Sequence, residues 1–138
     1  MVKKVESFET HHRIVVFLVV VVGTIILTRL FVSLYNPNPV LFNLELHHFD
    51  YGVLLLLISS KLLLFGPKNY SLTYLFLTGV ASGLIIDDYW FIRNSLVEHP
   101  LTQIQIYNAT FPSVVISVLT TVLIILFIQS IRKKRQTK

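Results

Sequence analysis

Cysteine is absent from this sequence, and charged residues are scarce. With no cysteine among the 138 residues, disulfides, thiolate metal sites and cysteine nucleophiles are excluded. Only 14% of the residues are charged, whereas 54% are hydrophobic. A soluble domain of this length cannot bury so much apolar surface, because a small domain keeps a large fraction of its surface exposed. We therefore expect a single membrane domain over 1–138.

The sequence also lacks several motifs that mark enzymes and nucleic-acid binding proteins. HExxH, glycine-rich phosphate loops and GxSxG are all missing. The densest basic cluster lies at 132–138, directly after an apolar segment, which is typical of a cytoplasmic anchor beside anionic lipid. No aromatic and basic platform accompanies it, so we expect no nucleic-acid partner.

Four apolar segments are long enough to cross roughly 30 Å of hydrocarbon at about 1.5 Å per helical residue. They cover approximately 14–35, 44–65, 71–91 and 112–131. In lipid each segment must satisfy its own backbone hydrogen bonds, so each is predicted to be a helix. The fold class is therefore all-α, with four transmembrane helices in an up-down bundle. The second helix begins at either Leu44 or Tyr51.

The connections and the basic residues predict how the helices are arranged. The sequence FGPKN at 65–69 is a tight breaker, so the second and third spans form an antiparallel hairpin. The segment LTQIQIY at 101–107 alternates apolar and polar residues, which favours a short strand or an irregular interfacial segment. A cytoplasmic N-terminus places ten of the twelve Lys and Arg residues inside, so both termini are predicted to be cytoplasmic in a multi-pass cell-membrane protein. Trp90 and Tyr107 then join an aromatic belt at the outer boundary.

Polar residues converge at the outer end of the central hairpin. The motif HHFDYG opens the second span at 47–52, and IIDDYW closes the third at 85–90. Arg29 lies near the outer end of the first span. The acids and histidines expected on this side are Glu45, His47, His48, Asp50, Asp87, Asp88, Glu98 and His99.

Four of these residues form a candidate metal site: His47, His48, Asp87 and Asp88. Imidazole nitrogen with carboxylate oxygen is the ligand set of zinc, iron and manganese sites. A divalent metal with an open position would activate a water for hydrolysis of a lipid or a lipid-linked group. The alternatives for the two histidines are a solvated interfacial loop and a pH-sensing or proton-relay role, and the alternative for Asp88 is an exposed helix end.

Asp87 has a structural alternative of its own. Acids within a span face protein or water and have a partner, and the candidates for an ion pair with Asp87 are Arg29 and Arg93. Gly79, Gly83 and Asp87 are spaced by four residues and share a helix face. The two glycines form a small-xxx-small pattern, which predicts close packing against another helix.

The two motifs resemble a pattern of small prokaryotic four-helix integral membrane proteins. In those proteins a paired histidine followed by a glycine opens one helix, and a glycine-rich helix closes with one or two acids. The resemblance covers about 44–93 and implies that the residues of interest are His47, His48, Gly52, Gly83, Asp87 and Asp88. It implies no activity. Where such proteins often carry Asp-Glu, this chain has two aspartates.

Three function classes follow from these observations. The leading one is a non-enzymatic protein that binds or assembles within the bilayer, with a second copy or another membrane protein as partner and the polar cluster joining its helices. The alternative is a metal-dependent membrane hydrolase that uses the His/Asp cluster. The third is a carrier of protons or small ions, which the position of the acids near one end of the spans disfavours.

Overall fold

A computed structural model describes the backbone of residues 2–35, 40–41, 44–95 and 101–136, and the side chains of 12–35, 46–67, 69–95 and 101–131. Five α-helices account for nearly all of it: α1 (Val2–Tyr35), α2 (His48–Phe65), α3 (Ser71–Ser95), α4 (Gln103–Ala109) and α5 (Phe111–Gln136). Between α1 and α2, the two-residue strands β1 (Val40–Leu41) and β2 (Leu44–Glu45) pair antiparallel. A single 3₁₀ turn (Lys68–Tyr70) precedes α3.

Four helical segments of the described chain are long and apolar enough to cross a membrane: His12–Tyr35, His48–Phe65, Ser71–Ser95 and Gln103–Ile131. All-helical architecture with four such segments is therefore confirmed. The first helix extends further toward the N-terminus than predicted, and the second begins at His48, between the two predicted starts.

Helix α3 lies at the centre, because α1 and α2 both pack mainly against it and hardly touch each other. Its contact with α2 is antiparallel. Gly52, near the start of α2, lies against Ala81 and Ile85, and Gly66, just after its end, lies against Tyr74. A Cβ atom at Gly52 would sit 3.0 Å from the Ala81 carbonyl oxygen, so glycine allows the two backbones to approach closely. The tight hairpin predicted at 65–69 is present.

The small-xxx-small face of α3 packs against α1. A Cβ atom at Gly79 would lie 2.9 Å from Val20 Cγ1, and one at Gly83 would lie 2.7 Å from Thr24 Cβ. Contacts progress along both helices in the same direction, so α1 and α3 are parallel. The helix that the glycines were expected to accommodate is therefore the first helix of the same chain.

The segment predicted to be a strand or irregular is the helix α4, so that prediction is wrong. The backbone N–H of Thr102 donates to Gln105 Oε1 at 2.9 Å, which satisfies a donor at the start of the helix. Helix α5 follows after Thr110 and runs opposite to α1, since Thr110 meets Arg29 while Val114 packs with Val21 and Ile25, which precede Arg29 in α1. The four long helices thus alternate in direction.

Most of the outer surface of the bundle is apolar. Large exposed side chains cover the outward faces of α1, α2 and α5, as Leu27, Leu64 and Phe127 illustrate. An apolar surface of this extent is unsuited to water and suited to lipid. Of the five buried polar residues among those described, Thr28, Asp87, Asp88 and Thr110 gather at the polar end, which we define as the end where α1 ends and α2 begins, and Ser59 lies further along α2.

Candidate functional site

The polar end is organised around an ion pair between α1 and α3. Arg29 Nε donates to Asp87 Oδ1 at 2.6 Å, and the Asp87 side chain is fully buried. The hydroxyl of Tyr107, on α4, donates to the other carboxylate oxygen of Asp87. Both oxygens of Asp87 therefore have protein donors, one charged and one neutral, which is the condition under which a carboxylate tolerates burial.

The guanidinium of Arg29 is also held from several sides. Its Nη1 donates to the Tyr107 carbonyl oxygen at 3.2 Å, and its Nη2 donates to Thr110 Oγ1 at 3.3 Å. The ring of Tyr107 lies 4.5 Å from Arg29 Cζ and that of Phe111 lies 5.1 Å from it, within the range of cation–π contact. Arg29 and Asp87 thus join α1, α3, α4 and the start of α5 in one network.

Asp88, the next residue along α3, points to a different neighbour. It is 2% exposed, and its Oδ2 accepts a hydrogen bond of 3.1 Å from the backbone N–H of Phe49. Phe49 lies in the first turn of α2, where backbone N–H groups lack helical partners. His47 Nδ1 lies 3.9 Å from the same oxygen. The expected exposed helix end at Asp88 is wrong, because the start of α2 covers it.

The start of α2 is shaped by its own polar residues. His47 is the residue immediately before the helix, and its backbone N–H donates to Asp50 Oδ2 at 3.0 Å. The backbone N–H of Asp50 in turn donates to the His47 carbonyl oxygen at 3.0 Å, and the two hydrogen bonds fix where the helix begins. His47 itself precedes the helix, and its side chain turns toward Asp88.

The four predicted metal ligands are not brought together as one set. Asp87 is occupied by Arg29 and Tyr107, whereas His47, His48 and Asp88 line one small cavity, and His48 also lines a groove along α1. In the part of the chain that the structure describes, no group of three or more His, Asp or Glu side chains is placed to hold a metal ion. Glu98, His99 and the side chain of Glu45 lie outside the described residues.

Three residues form hydrogen bonds at the polar end that the sequence did not predict: Tyr107, Thr110 and Ser117. Tyr107 was expected in an aromatic belt, yet it is only 5% exposed and bonds to Asp87. Trp90, assigned to the same belt, donates from Nε1 to Ser117 Oγ at 2.8 Å and ties α3 to α5. A buried Tyr or Trp usually finds a partner for its polar atom, and this is the only signal that the sequence carries for these contacts.

Every buried side-chain nitrogen and oxygen among the described residues has a hydrogen-bond partner. The polar end is therefore a satisfied network of the kind that stabilises one helix arrangement. No known protein family, curated protein or solved structure matches the chain. The resemblance of HHFDYG and IIDDYW to small prokaryotic membrane proteins stays a prediction.

Proposed function

We propose that this chain is a non-enzymatic, multi-pass protein of the cell membrane that acts by binding another membrane component. Its polar residues hold the helices together, and its apolar faces contact the bilayer and the partner. The observation that carries the proposal is the closed network at Arg29 and Asp87. Both carboxylate oxygens accept protein hydrogen bonds, and three guanidinium nitrogens donate to protein acceptors.

The same network weighs against chemistry at Asp87. A catalytic or ligating carboxylate needs an oxygen that can reach a substrate, a proton or a metal. Asp87 has none to offer while Arg29 and Tyr107 remain in place. Opening this site would require breaking a buried ion pair, which costs about 3–5 kcal/mol. A role in joining helices fits this arrangement without any such step.

The proposed topology has both termini in the cytoplasm, supported by the distribution of Lys and Arg. A reporter protein fused after Lys138 should be active only in a form that requires the cytoplasm. Activity of an exported reporter at the same position would overturn the orientation.

Metal analysis tests the function directly. Purified, chelator-washed protein should contain no stoichiometric zinc, iron or manganese, and its melting temperature should be unchanged by the chelator. A His47→Ala/His48→Ala variant should remain folded, whereas Asp87→Asn should melt at a lower temperature because its ion pair with Arg29 is lost. Near-stoichiometric metal in the parent protein, lost in the histidine variant and in an Asp87→Asn/Asp88→Asn variant, would replace the proposal with the metal-dependent hydrolase.

A further inference from the structure

The charges at the polar end do not balance within the described residues. Two buried acids, Asp87 and Asp88, adjoin a single arginine, and Arg29 is paired with Asp87. No Lys or Arg of the described chain forms an ion pair with Asp88, whose nearest ionisable partner is the imidazole of His47. A carboxylate this deeply buried needs either a proton or a cation beside it.

A small cavity adjoins Asp88. Its volume is about 20 Å³, which is room for roughly one water-sized group. Polar side chains that can accept hydrogen bonds line it, and the aromatic rings of Phe91 and Tyr107 form part of its wall. The polar lining residues are His47, His48, Asp88, Gln103 and Tyr107. A primary ammonium is of that size and has three donors, no acceptor and a positive charge, so it matches this cavity. A trimethylammonium group is too large for it.

An apolar groove lies beside the cavity. It has a volume of about 480 Å³, within the range of about 300–1,000 Å³ that small-molecule sites occupy, and it runs along Leu27, Leu30, Phe31 and Leu34 of α1. His48 lines both the groove and the cavity. Five of its six lining residues belong to α1 and the sixth, His48, is the first residue of α2, so the groove follows α1 and ends at the start of α2. The joined shape suits a molecule with an apolar chain next to a small cationic head.

We propose that the groove and the cavity form a binding site for a lipid whose head group ends in a primary ammonium, as in phosphatidylethanolamine. The ammonium supplies the positive charge that Asp88 lacks, an acyl chain lies along α1, and His48 is placed at the junction to donate to the phosphate. The inference rests on the proposed function, since it names the membrane component that is bound. It uses Asp88 and leaves the Arg29–Asp87 network in its structural role.

The test compares three additives on delipidated protein in detergent. These are phosphatidylethanolamine, phosphatidylcholine with identical acyl chains, and free ethanolamine, with binding followed by native mass spectrometry and by the melting temperature. A charge-assisted hydrogen bond is worth about 1.5–3 kcal/mol, so phosphatidylethanolamine should bind about ten-fold or more tightly than phosphatidylcholine. Free ethanolamine should bind far more weakly than the lipid, because it cannot fill the groove.

Three variants identify the residues responsible. Asp88→Asn should abolish the preference for phosphatidylethanolamine, whereas Asp50→Asn should keep it. Asp50 serves as the control, since it is an exposed acid in the first turn of α2, the helix whose start covers Asp88. His47→Lys places the protein's own ammonium next to Asp88. This variant should fold, should no longer depend on phosphatidylethanolamine for stability and should lose the preference, so the test holds even if Asp88→Asn does not fold.

Equal binding of the two lipids would overturn the inference. The inference would also be overturned if His47→Lys kept the preference for phosphatidylethanolamine, or if free ethanolamine bound as tightly as the lipid. None of these outcomes would contradict the proposed function as a non-enzymatic binding protein. That proposal fails instead if stoichiometric metal is found at the polar end. The two failures are therefore distinguishable in the same protein preparation.

Discussion

Replacing Gly83 by alanine tests whether the α1–α3 contact is as tight as its geometry requires. A Cβ atom at Gly83 would lie 2.7 Å from Thr24 Cβ and 2.9 Å from the Val21 carbonyl oxygen. Ordinary contact begins at 3.4 Å, and neither of these two neighbours is the flexible end of a long side chain. The two helices must therefore separate by several tenths of an ångström to admit one methyl group.

The expected magnitude follows from two opposing terms. Inserting an extra methylene or methyl into a tightly packed interface costs about 1–3 kcal/mol, while alanine in place of glycine in a helix contributes roughly 1 kcal/mol in the other direction. Gly23, on α1, provides the matched control, because a Cβ atom there would meet nothing within 4 Å. Gly83→Ala should thus be less stable than Gly23→Ala by about 1–3 kcal/mol, since the helix-propensity term is common to both.

Reversible unfolding of the two variants in mixed detergent micelles, titrated with dodecyl sulfate, measures this difference. The stability of Gly79→Ala should lie between those of the other two variants. The nearest neighbour of a Cβ atom at Gly79 would be Val20 Cγ1, the tip of a side chain that can move. If Gly83→Ala and Gly23→Ala unfold at the same dodecyl sulfate fraction, the close approach of α1 and α3 does not exist in the folded protein.

Further predictions concern the polar end, and the same unfolding titration measures each. Arg29→Gln should destabilise the protein by about 3–5 kcal/mol, because it leaves Asp87 buried without its cation; adding Asp87→Asn should recover part of that loss, and strictly additive losses would contradict the pairing. Tyr107→Phe should cost about 1–3 kcal/mol through the lost hydrogen bond to Asp87, and an unchanged midpoint would refute that role. Trp90→Phe and Ser117→Ala should each cost about 1 kcal/mol, and the double variant should cost less than the two together, because they share one hydrogen bond.

The four long helices were predictable because uninterrupted apolar runs leave the backbone no alternative to a helix in lipid. Helix α4 was missed because Gln103 and Gln105 alternate with isoleucines, which imitates a half-buried strand. The signal that identifies the helix was nevertheless present. Thr102 and Gln105 form the S/T-x-x-E/Q pattern of a helix start, and the Thr102 N–H does donate to Gln105.

The convergence of polar residues at one end could be predicted from helix order. Which partner each of these residues contacts could not be predicted. Successive helical residues point about 100° apart, so Asp87 and Asp88 must face different neighbours if α3 is surrounded. Helix α3 does lie between α1 and α2, which sends Asp87 to Arg29 and Asp88 to the start of α2. Nothing in the local sequence indicates which helix occupies the centre, and for that reason the two acids were grouped as one site.

The central position of α3 has a consequence for how the chain is made. Among the four candidate spans α3 is the least apolar, and its two aspartates resist entry into lipid on their own. The groups that receive them, Arg29 on α1 and the Phe49 N–H on α2, both precede α3 in the chain. Because synthesis proceeds from the N-terminus, both partners are made before the acids of α3, and Tyr107, which donates to the second oxygen of Asp87, is made last. Moving α1 to the C-terminal end by circular permutation would leave Asp87 without its arginine until the last helix is made.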